Sequence, residues 1–225
     1  MAKLSKLGGT LFTQISSGIY RGKKLALPAL SSTRSTKSIV KGSFFDTWRV
    51  ELRGAVFIEC FGGSGAMALE ALSNGAKNVY AIEKDAAAHK IMQKNFELFG
   101  LGANAILGDC FERLPEILHD LQANMNGCSA VNLSESHTVN SSENSVSDPA
   151  RRVFVYLDPP FAIRQGFGGI YERVLALIAR LGSVQCELLI AIEHMSELEL
   201  PPKIGDFALL KSRKFGATTM SYYVK

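Results

Sequence analysis

A chain of 225 residues suits one α/β domain with a modest appendage, and 47% hydrophobic content can build a substantial core. Its four cysteines, Cys60, Cys110, Cys128 and Cys186, show no C-x-x-C pair and no histidine cluster, which argues against a disulfide scaffold or a zinc site and for reduced thiols in the cytosol. The net charge of +4 is unevenly spread: residues 1–53 hold ten Lys and Arg against two acids, and the remainder is net negative. The opening MAKLSKLGGTLFTQ lacks an apolar signal region, and no run approaches the roughly 20 residues of a membrane span, so a soluble, cytoplasmic protein is expected.

The segment TQISSGIYRGKKLALP predicts a small β-hairpin, with strands over roughly 13–19 and 23–27 around Gly18 and Gly22. Tyr20, Arg21, Lys23 and Lys24 set an aromatic ring among cations, a pattern that suits an RNA backbone plus a base or ribose. In STRSTKSIVKGSFFDTW, Thr33 or Ser35 can cap a helix whose Ile39, Val40, Phe44, Phe45 and Trp48 pack against the main domain. Arg34, Lys37 and Lys41 lie on or near its start. Concentrated positive charge of this kind is the footprint of a nucleic-acid contact, although a solvated surface has the same composition.

Residues 55–60 read as the first strand of the main domain and lead into FGGSGAMALEAL. Glycines there let the backbone turn sharply and let a ligand approach. The helix that follows ends near Asn74-Gly75. Gly63-x-Gly65-x-x-Ala68 alone is weak, but a second strand over 78–82 ends at Glu83, about twenty residues after the glycines, where a carboxylate can bind the hydroxyls of a cofactor ribose. A helix over 86–99, facing inward with Ile91, Phe96 and Leu98 or Phe99, precedes a strand over 103–107. Asp109 comes next; it can reach an adenine amino group or equally cap the following helix.

From about residue 123 to 150 the chain is rich in Ser and Asn without either periodicity, an insertion in which His137 is a solvated loop residue. Residues 153–157, VFVYL, then read as a buried strand that runs into Asp158-Pro159-Pro160-Phe161. Neither proline has an N–H to continue a ladder, so the strand stops there. Ligands of open α/β sheets bind at this end of the strands. Asp158 and the Pro159 carbonyl can accept hydrogen bonds from a base's amine, and Phe161 can stack on the ring. A tight turn would have the same letters; the upstream glycines favour the base-binding reading. A glycine-containing loop over 162–169, a helix over 171–181, a strand over 187–193 and a closing hairpin over 207–215 and 219–224 complete the chain.

Glu59-Cys60-Phe61-Gly62-Gly63-Ser64-Gly65, Glu83, Asp109 and the Asp-Pro-Pro-Phe tetrad occur in the order found in class I S-adenosylmethionine methyltransferases acting on amino groups. Gly18-x-Tyr20-Arg21-Gly22-Lys23-Lys24-Leu25, Thr33-Arg34-Ser35-Thr36 and Gly216…Tyr222-Tyr223 narrow the resemblance to the RsmD family, the bacterial 16S ribosomal RNA guanine-N2 methyltransferases. Glu59 stands where that family usually has Asp, and Arg34-Ser35-Thr36 replaces Arg-Pro-Thr. Lys41 keeps the charge of a commonly basic helix position without a bidentate fork.

The resemblance implies an α/β, Rossmann-like, seven-stranded sheet with helices on both faces, over residues 54–225, and a small basic N-terminal β-hairpin/helix extension over 1–53 that contacts RNA. It implies S-adenosylmethionine held by Glu59, Cys60, Phe61, Gly62, Gly63, Ser64, Gly65, Glu83, Asp109 and Cys110, with catalysis by Asp158, Pro159, Pro160 and Phe161. RNA would meet Tyr20, Arg21, Lys23, Lys24, Arg34, Thr36, Lys37 and Lys41. The partner implied is 16S ribosomal RNA, the small subunit or an assembly intermediate, met by a cytoplasmic monomer that needs no metal. An adenine-N6 methyltransferase and a non-catalytic RNA-binding protein remain open readings. A nicotinamide dehydrogenase explains the glycines and Glu83 but gives the tetrad no role.

Overall fold

The computed structural model describes residues 6–7, 10–28, 35–128, 151–160 and 169–225. Phe161, Arg34, His137 and most of the Ser/Asn-rich insertion therefore lie outside the described residues. The amino-terminal part forms a three-stranded antiparallel sheet of β1 (Lys6–Leu7), β2 (Thr10–Gln14) and β3 (Lys24–Leu27), followed by α1 (Ser35–Thr47). The expected hairpin is present as β2 and β3, with one correction. Its first strand ends at Gln14, not Ile19, because the amides of Ser16, Ser17, Ile19 and Tyr20 bond to α2 instead of to a strand.

The main domain runs β4 (Val56–Cys60), α2 (Ala66–Ser73), β5 (Asn78–Glu83), α3 (Ala86–Glu97), β6 (Ala105–Leu107), α4 (Cys110–Cys128), β7 (Arg152–Leu157) and α5 (Ile170–Arg180). It closes with β8 (Glu187–Met195), β9 (Lys203–Ile204), β10 (Phe207–Phe215) and β11 (Thr218–Val224). The strands make one sheet in the order β6-β5-β4-β7-β8-β11-β10-β9. β6, β5, β4, β7 and β8 are parallel, and β11, β10 and β9 add on antiparallel. The sheet has eight strands where seven were expected: Lys203–Ile204 turns back at Gly205 to pair with Phe207 and Ala208. Nor does the insertion begin at 123, since α4 continues to Cys128.

Parallel strands in the middle of such a sheet must be covered on both faces. Every residue of β4 is buried, and alternate residues face opposite layers. Phe57, Phe154, Tyr156, Leu189, Met220 and Tyr222 face α1, α2 and α3, while Ile58, Val155, Leu157, Ile190 and Tyr223 face α4 and α5. Phe44 of α1 sits at the centre of the first layer, edge-on to Phe57 and Tyr156 at 5.8 and 5.6 Å. Of the apolar residues expected to pack from α1, Val40, Phe44, Phe45 and Trp48 do so, whereas Ile39 is 61% exposed. On α3 the core positions are Met92 and Phe96; Leu98 is exposed and Phe99 packs.

The extension shares this core. Besides the apolar residues of α1, Ile15 and Leu25 are buried in the same cluster as Phe96, and polar contacts add to this attachment. Glu70 of α2 is fully buried and accepts hydrogen bonds from the amides and hydroxyls of Ser16 and Ser17. Lys41 Nζ lies 2.6 Å from Glu70 Oε2, with the lysine side chain only 13% exposed. Lys41, expected at the RNA, has a structural partner here: a carboxylate buried in α2 needs a cation, and Lys41 supplies it. Replacing Lys41→Met should leave that charge uncompensated and lower the unfolding free energy by about 3 kcal/mol in urea denaturation. A loss below roughly 0.5 kcal/mol would mean that the pair contributes no more than an exposed one.

Candidate active site at the carboxyl ends of the parallel strands

The strand order reverses between β4 and β7: β5 and β6 follow β4 to one side, and β7 and β8 lie on the other. Ligand crevices of open α/β sheets form at such a reversal. Here the two strands pair in register, Glu59 opposite Tyr156 and Cys60 opposite Leu157. The glycine turn that leaves β4 at Phe61 and the diproline segment that leaves β7 at Asp158 therefore emerge side by side.

The turn is tight. Gly65 N–H donates to the Gly62 carbonyl at 2.7 Å, and Gly62 N–H to the Ile82 carbonyl of β5 at 2.8 Å. Phe61 has φ of +59°, a left-handed conformation that non-glycine residues rarely adopt and that clusters at functional turns. Gly65 has φ of +72°, and a Cβ there would lie 2.4 Å from Phe96 Cε2, so glycine is required on both counts. Gly63 also has a positive φ, +54°, but a Cβ there would meet nothing within 4 Å. The space beside Gly63 is the cradle a ligand can enter.

Glu83 closes the turn from the end of β5. Its Oε2 accepts from Gly63 N–H and its Oε1 from Asp85 N–H, both at 2.7 Å. Each carboxylate oxygen keeps further lone-pair capacity for a hydroxyl donor. The amides of Gly62, Gly63 and Gly65 are all used inside the protein, so the turn offers room more than a row of amide donors. Glu59 is buried, and its Oε2 accepts from Ala68 N–H in the first turn of α2 at 2.8 Å. Gly65 has no side chain to cap that helix, and a carboxylate from the neighbouring strand does so in its place.

Asp109 lies at the start of α4, where Oδ1 accepts from Phe111 N–H at 3.1 Å, so it acts as a cap. Lys84 and Arg173 approach its other oxygen at 3.0 and 3.7 Å. Burial would raise its pKa, but the Lys84 bond, the Phe111 amide and the charges of Lys84 and Arg173 together hold it below the usual carboxylate value. Arg173 also lies 3.9 Å over the ring of Phe111, which meets Phe61 edge-on at 6.0 Å. This wall of Phe61, Phe111 and Arg173 borders the turn. Beneath it the Cys60 thiol, hydrogen-bonded to Cys110 and buried, is pushed well above its ordinary pKa. Both thiols are free and buried.

On the other side of the reversal Asp158 is half-buried, Pro159 buried and Pro160 half-buried. Tyr156 OH donates to Glu193 Oε2 of β8 at 2.7 Å. Burial, followed by the charges of Glu193 and Asp158, pushes the Tyr156 phenol well above its ordinary pKa and keeps it a donor. Glu193 was not singled out in the sequence; its signal is an acid at the end of the otherwise apolar ELLIAIE. Asn95 was missed as well. It is buried on the apolar stripe of α3 beside Met92 and Phe96, and an amide in that position requires partners. Its Nδ2 donates to the carbonyls of Ser64 in the glycine turn and Ala26 in β3, at 2.8 and 2.9 Å, and its Oδ1 accepts from Ala26 N–H. One side chain thereby ties the extension to the turn.

Of the expected RNA contacts, Arg21 and Lys24 face solvent. Tyr20 packs edge-on against Phe99 at 4.9 Å, and Lys23 covers the Phe99 ring at 4.4 Å while donating to the Leu98 carbonyl. Thr36 and Lys37 lie in α1. Among the described residues no helix is long and apolar enough to cross a membrane.

A family described as conserved hypothetical protein 95 matches residues 13–120 and 105–224. The chain belongs to this family. It corresponds to the RsmD family inferred above, and a relative bears that name: ribosomal RNA small subunit methyltransferase D of Escherichia coli, 26% identical over 210 residues, covering 93% of this chain and 88% of the relative. The fold matches the solved structure of Escherichia coli yhhF with a TM-score of 0.65 at 23% identity, covering 95% and 98% of the two chains. It also matches a 16S rRNA N2 G1207 methyltransferase from T. thermophilus, in complex with AdoMet and guanosine, with a TM-score of 0.56 at 16% identity, over 100% of this chain and 50% of that one. The RsmD-family fold is therefore that of class I methyltransferases, with the glycine turn and the diproline segment at its strand-order reversal.

The two glycines of the turn should respond differently to alanine. Gly65→Ala adds the Phe96 clash to left-handed strain and should cost about 3 kcal/mol or more, whereas Gly63→Ala carries only the strain, about 1–2 kcal/mol. Urea unfolding of the two variants checks the order, and equal losses would contradict the packing described for Gly65.

Proposed function

We propose that this protein transfers the methyl group of S-adenosylmethionine to the exocyclic N2 of a guanine in 16S ribosomal RNA. The observation that carries this reading is the in-register pairing of β4 and β7, which sets a glycine-lined ligand cradle beside Asp158-Pro159-Pro160. The name of the Escherichia coli relative supports ribosomal RNA of the small subunit as substrate. The T. thermophilus structure of the same fold holds AdoMet and guanosine, which supports a methyl donor and a guanine as the pair of ligands.

The residues present suit the cofactor. Gly63 leaves open space where a side chain would intrude, Glu83 stands at the end of β5 with capacity for ribose hydroxyls, and Phe61 with Phe111 offers an apolar wall near Asp109 and Cys110. The Glu59 carboxylate adds negative charge behind the turn, favourable to a sulfonium. S-adenosylmethionine supplies an electrophilic methyl group.

The protein's task is to present a poor nucleophile, since the lone pair of guanine N2 is delocalised into the ring. The target base leaves its stack and enters beside Asp158. The Asp158 carboxylate and the Pro159 carbonyl accept hydrogen bonds from the amino group and aim its lone pair, while the two prolines fix the backbone that carries both acceptors. Phe161, next in sequence, supplies the ring on which the base stacks. The gain lies in alignment and preorganised electrostatics, with no covalent enzyme intermediate. Arg21 and Lys24 of the extension neutralise phosphates of a 16S RNA or small-subunit substrate, and the protein acts as a cytoplasmic monomer.

Asp158→Ala should lower methyl transfer by roughly 10²-fold or more while leaving S-adenosylmethionine affinity nearly unchanged. The assay is transfer of tritiated methyl to naked 16S RNA and to small-subunit particles, followed by digestion to nucleosides. N2-methylguanosine is the expected product; N6-methyladenosine would replace this reading with the adenine one, and an active Asp158→Ala enzyme would remove the role given to that residue.

A further inference from the structure

The carboxyl edge of the sheet extends beyond the two subsites. Leu157 pairs with Ile192, so Asp158 and Glu193 follow side by side; Glu193 pairs with Met220 of β11, and Met220 with Arg213 of β10. Asp158, Glu193, Met220 and Arg213 thus form one row across four strands. Arg213 stands three inter-strand spacings from Asp158, roughly 14 Å. Met220 belongs to the layer covered by α1, and Arg213 reaches α1 on that same face.

Arg213 is exposed, and its guanidinium is already oriented. One terminal nitrogen donates to Ser43 Oγ at 3.2 Å and to Thr47 Oγ1 at 3.1 Å. Among the described residues its bonding partners are these hydroxyls, and no carboxylate forms an ion pair with it. A guanidinium has five N–H donors, and those not used by the hydroxyls remain for an incoming anion. Lys211, two residues earlier, lies 4.4 Å over the Trp48 ring and adds a second positive charge to this face.

We propose that Arg213 binds a phosphate of the RNA strand flanking the target nucleotide, so that the RNA surface runs from the extension across α1 to the far edge of the main sheet. This rests on the reading of the chain as a ribosomal RNA methyltransferase. A planar fork preset by hydroxyls is suited to phosphate, keeps its full charge and loses little freedom on binding. The simpler role for a cation here is to keep an edge strand from pairing with another sheet. That role needs charge alone. Lys214, the next residue along β10, is exposed and already gives the edge such a charge.

The test is filter binding of the full chain to naked 16S RNA and to small-subunit particles over a range of salt, with Arg213→Gln, Arg213→Lys and Thr47→Val. For Arg213→Gln we expect roughly threefold weaker binding near physiological salt, and a plot of log affinity against log salt flatter by about 0.7, the signature of one lost phosphate contact. Arg213→Lys should keep most of the slope. Thr47→Val should keep the slope while weakening binding, and it serves also if the glutamine variant does not fold. S-adenosylmethionine affinity should be unchanged in all three.

An Arg213→Gln protein with the wild-type slope would overturn the proposal, as would one that self-associates or loses thermal stability while its slope is unchanged. Full affinity in Thr47→Val would overturn the hydroxyl cradle. A wild-type protein with no salt-dependent RNA binding would overturn both this proposal and the functional reading. A steep wild-type slope that falls in Arg213→Gln, combined with a product other than N2-methylguanosine, would support the phosphate contact and strike only the guanine assignment.

Discussion

The parallel pairing of β4 with β7 is the constraint from which the rest follows. Five consecutive residue pairs, from Val56 opposite Val153 to Cys60 opposite Leu157, fix where each strand ends. A slip of one residue would exchange the faces of every side chain in the two strands, sending Phe57, Phe154 and Tyr156 toward α4 and α5 and Ile58 and Val155 toward α1. Burial on both faces therefore locks the register. The lengths of the two strands then bring Phe61 and Asp158 to the same edge. A site assembled from two turns far apart in sequence is held by the stiffest part of the molecule.

The extension is joined to this frame by a different kind of contact. Apart from α1, whose apolar face packs on the sheet, the described residues of the extension bury Ile15 and Leu25 in the core, a small apolar surface for orienting a strongly cationic segment. Buried polar groups supply the rest, each specific in direction. Glu70 gathers the turn at Ser16 and Ser17 and the ammonium of Lys41, and Asn95 serves β3 as a partner that both accepts and donates at Ala26. A fully buried carboxylate is costly to desolvate, and the recompense is orientation: the loop carrying Tyr20, Arg21 and Lys23 has one place to sit. The anchors are α2, which leaves the glycine turn, and Asn95, which bonds that turn directly, so the extension is attached beside the glycine turn.

The frame was legible because its signals are local. Glycines between a strand and a helix, an acid ending the next strand and a diproline ending another each follow from backbone rules that need no partner. The resemblance implied a Rossmann-like sheet without its strand order, and nothing in β4 or β7 names the other, so their pairing comes from the structure. Long-range polar partners were not legible for the same reason. Lys41 reads as a surface cation until the buried Glu70 is known, and Asn95 reads as a weak helix residue until Ala26 and Ser64 are placed around it. Ile39 and Leu98 show the converse limit, since an apolar residue can stay exposed without penalty when its helix already buries enough neighbours. The eighth strand has two residues, below what alternation can reveal.

Charge is sorted along the carboxyl edge of the sheet in a way that matches the two chemistries of the proposed reaction. Near the reversal four acids point inward, with Lys84 and Arg173 paired to Asp109 at the rim: Glu59 caps α2, Glu83 holds the glycine turn, and Asp158 and Glu193 stand side by side near Tyr156. Such an edge attracts a cationic methyl donor and hydrogen-bond donors on a base, and it repels phosphate. A polyanionic strand can approach only if its charge is met elsewhere; Lys84 and Arg173 near the reversal are drawn to Asp109, whereas Arg21 and Lys24 in the extension and Lys211 and Arg213 on β10 lie away from it. A field negative at the centre and positive at the flanks draws the backbone to the sides and leaves the middle for an extruded base. Under the proposed reaction, that separation of signs orients the nucleotide before any hydrogen bond to the base is made.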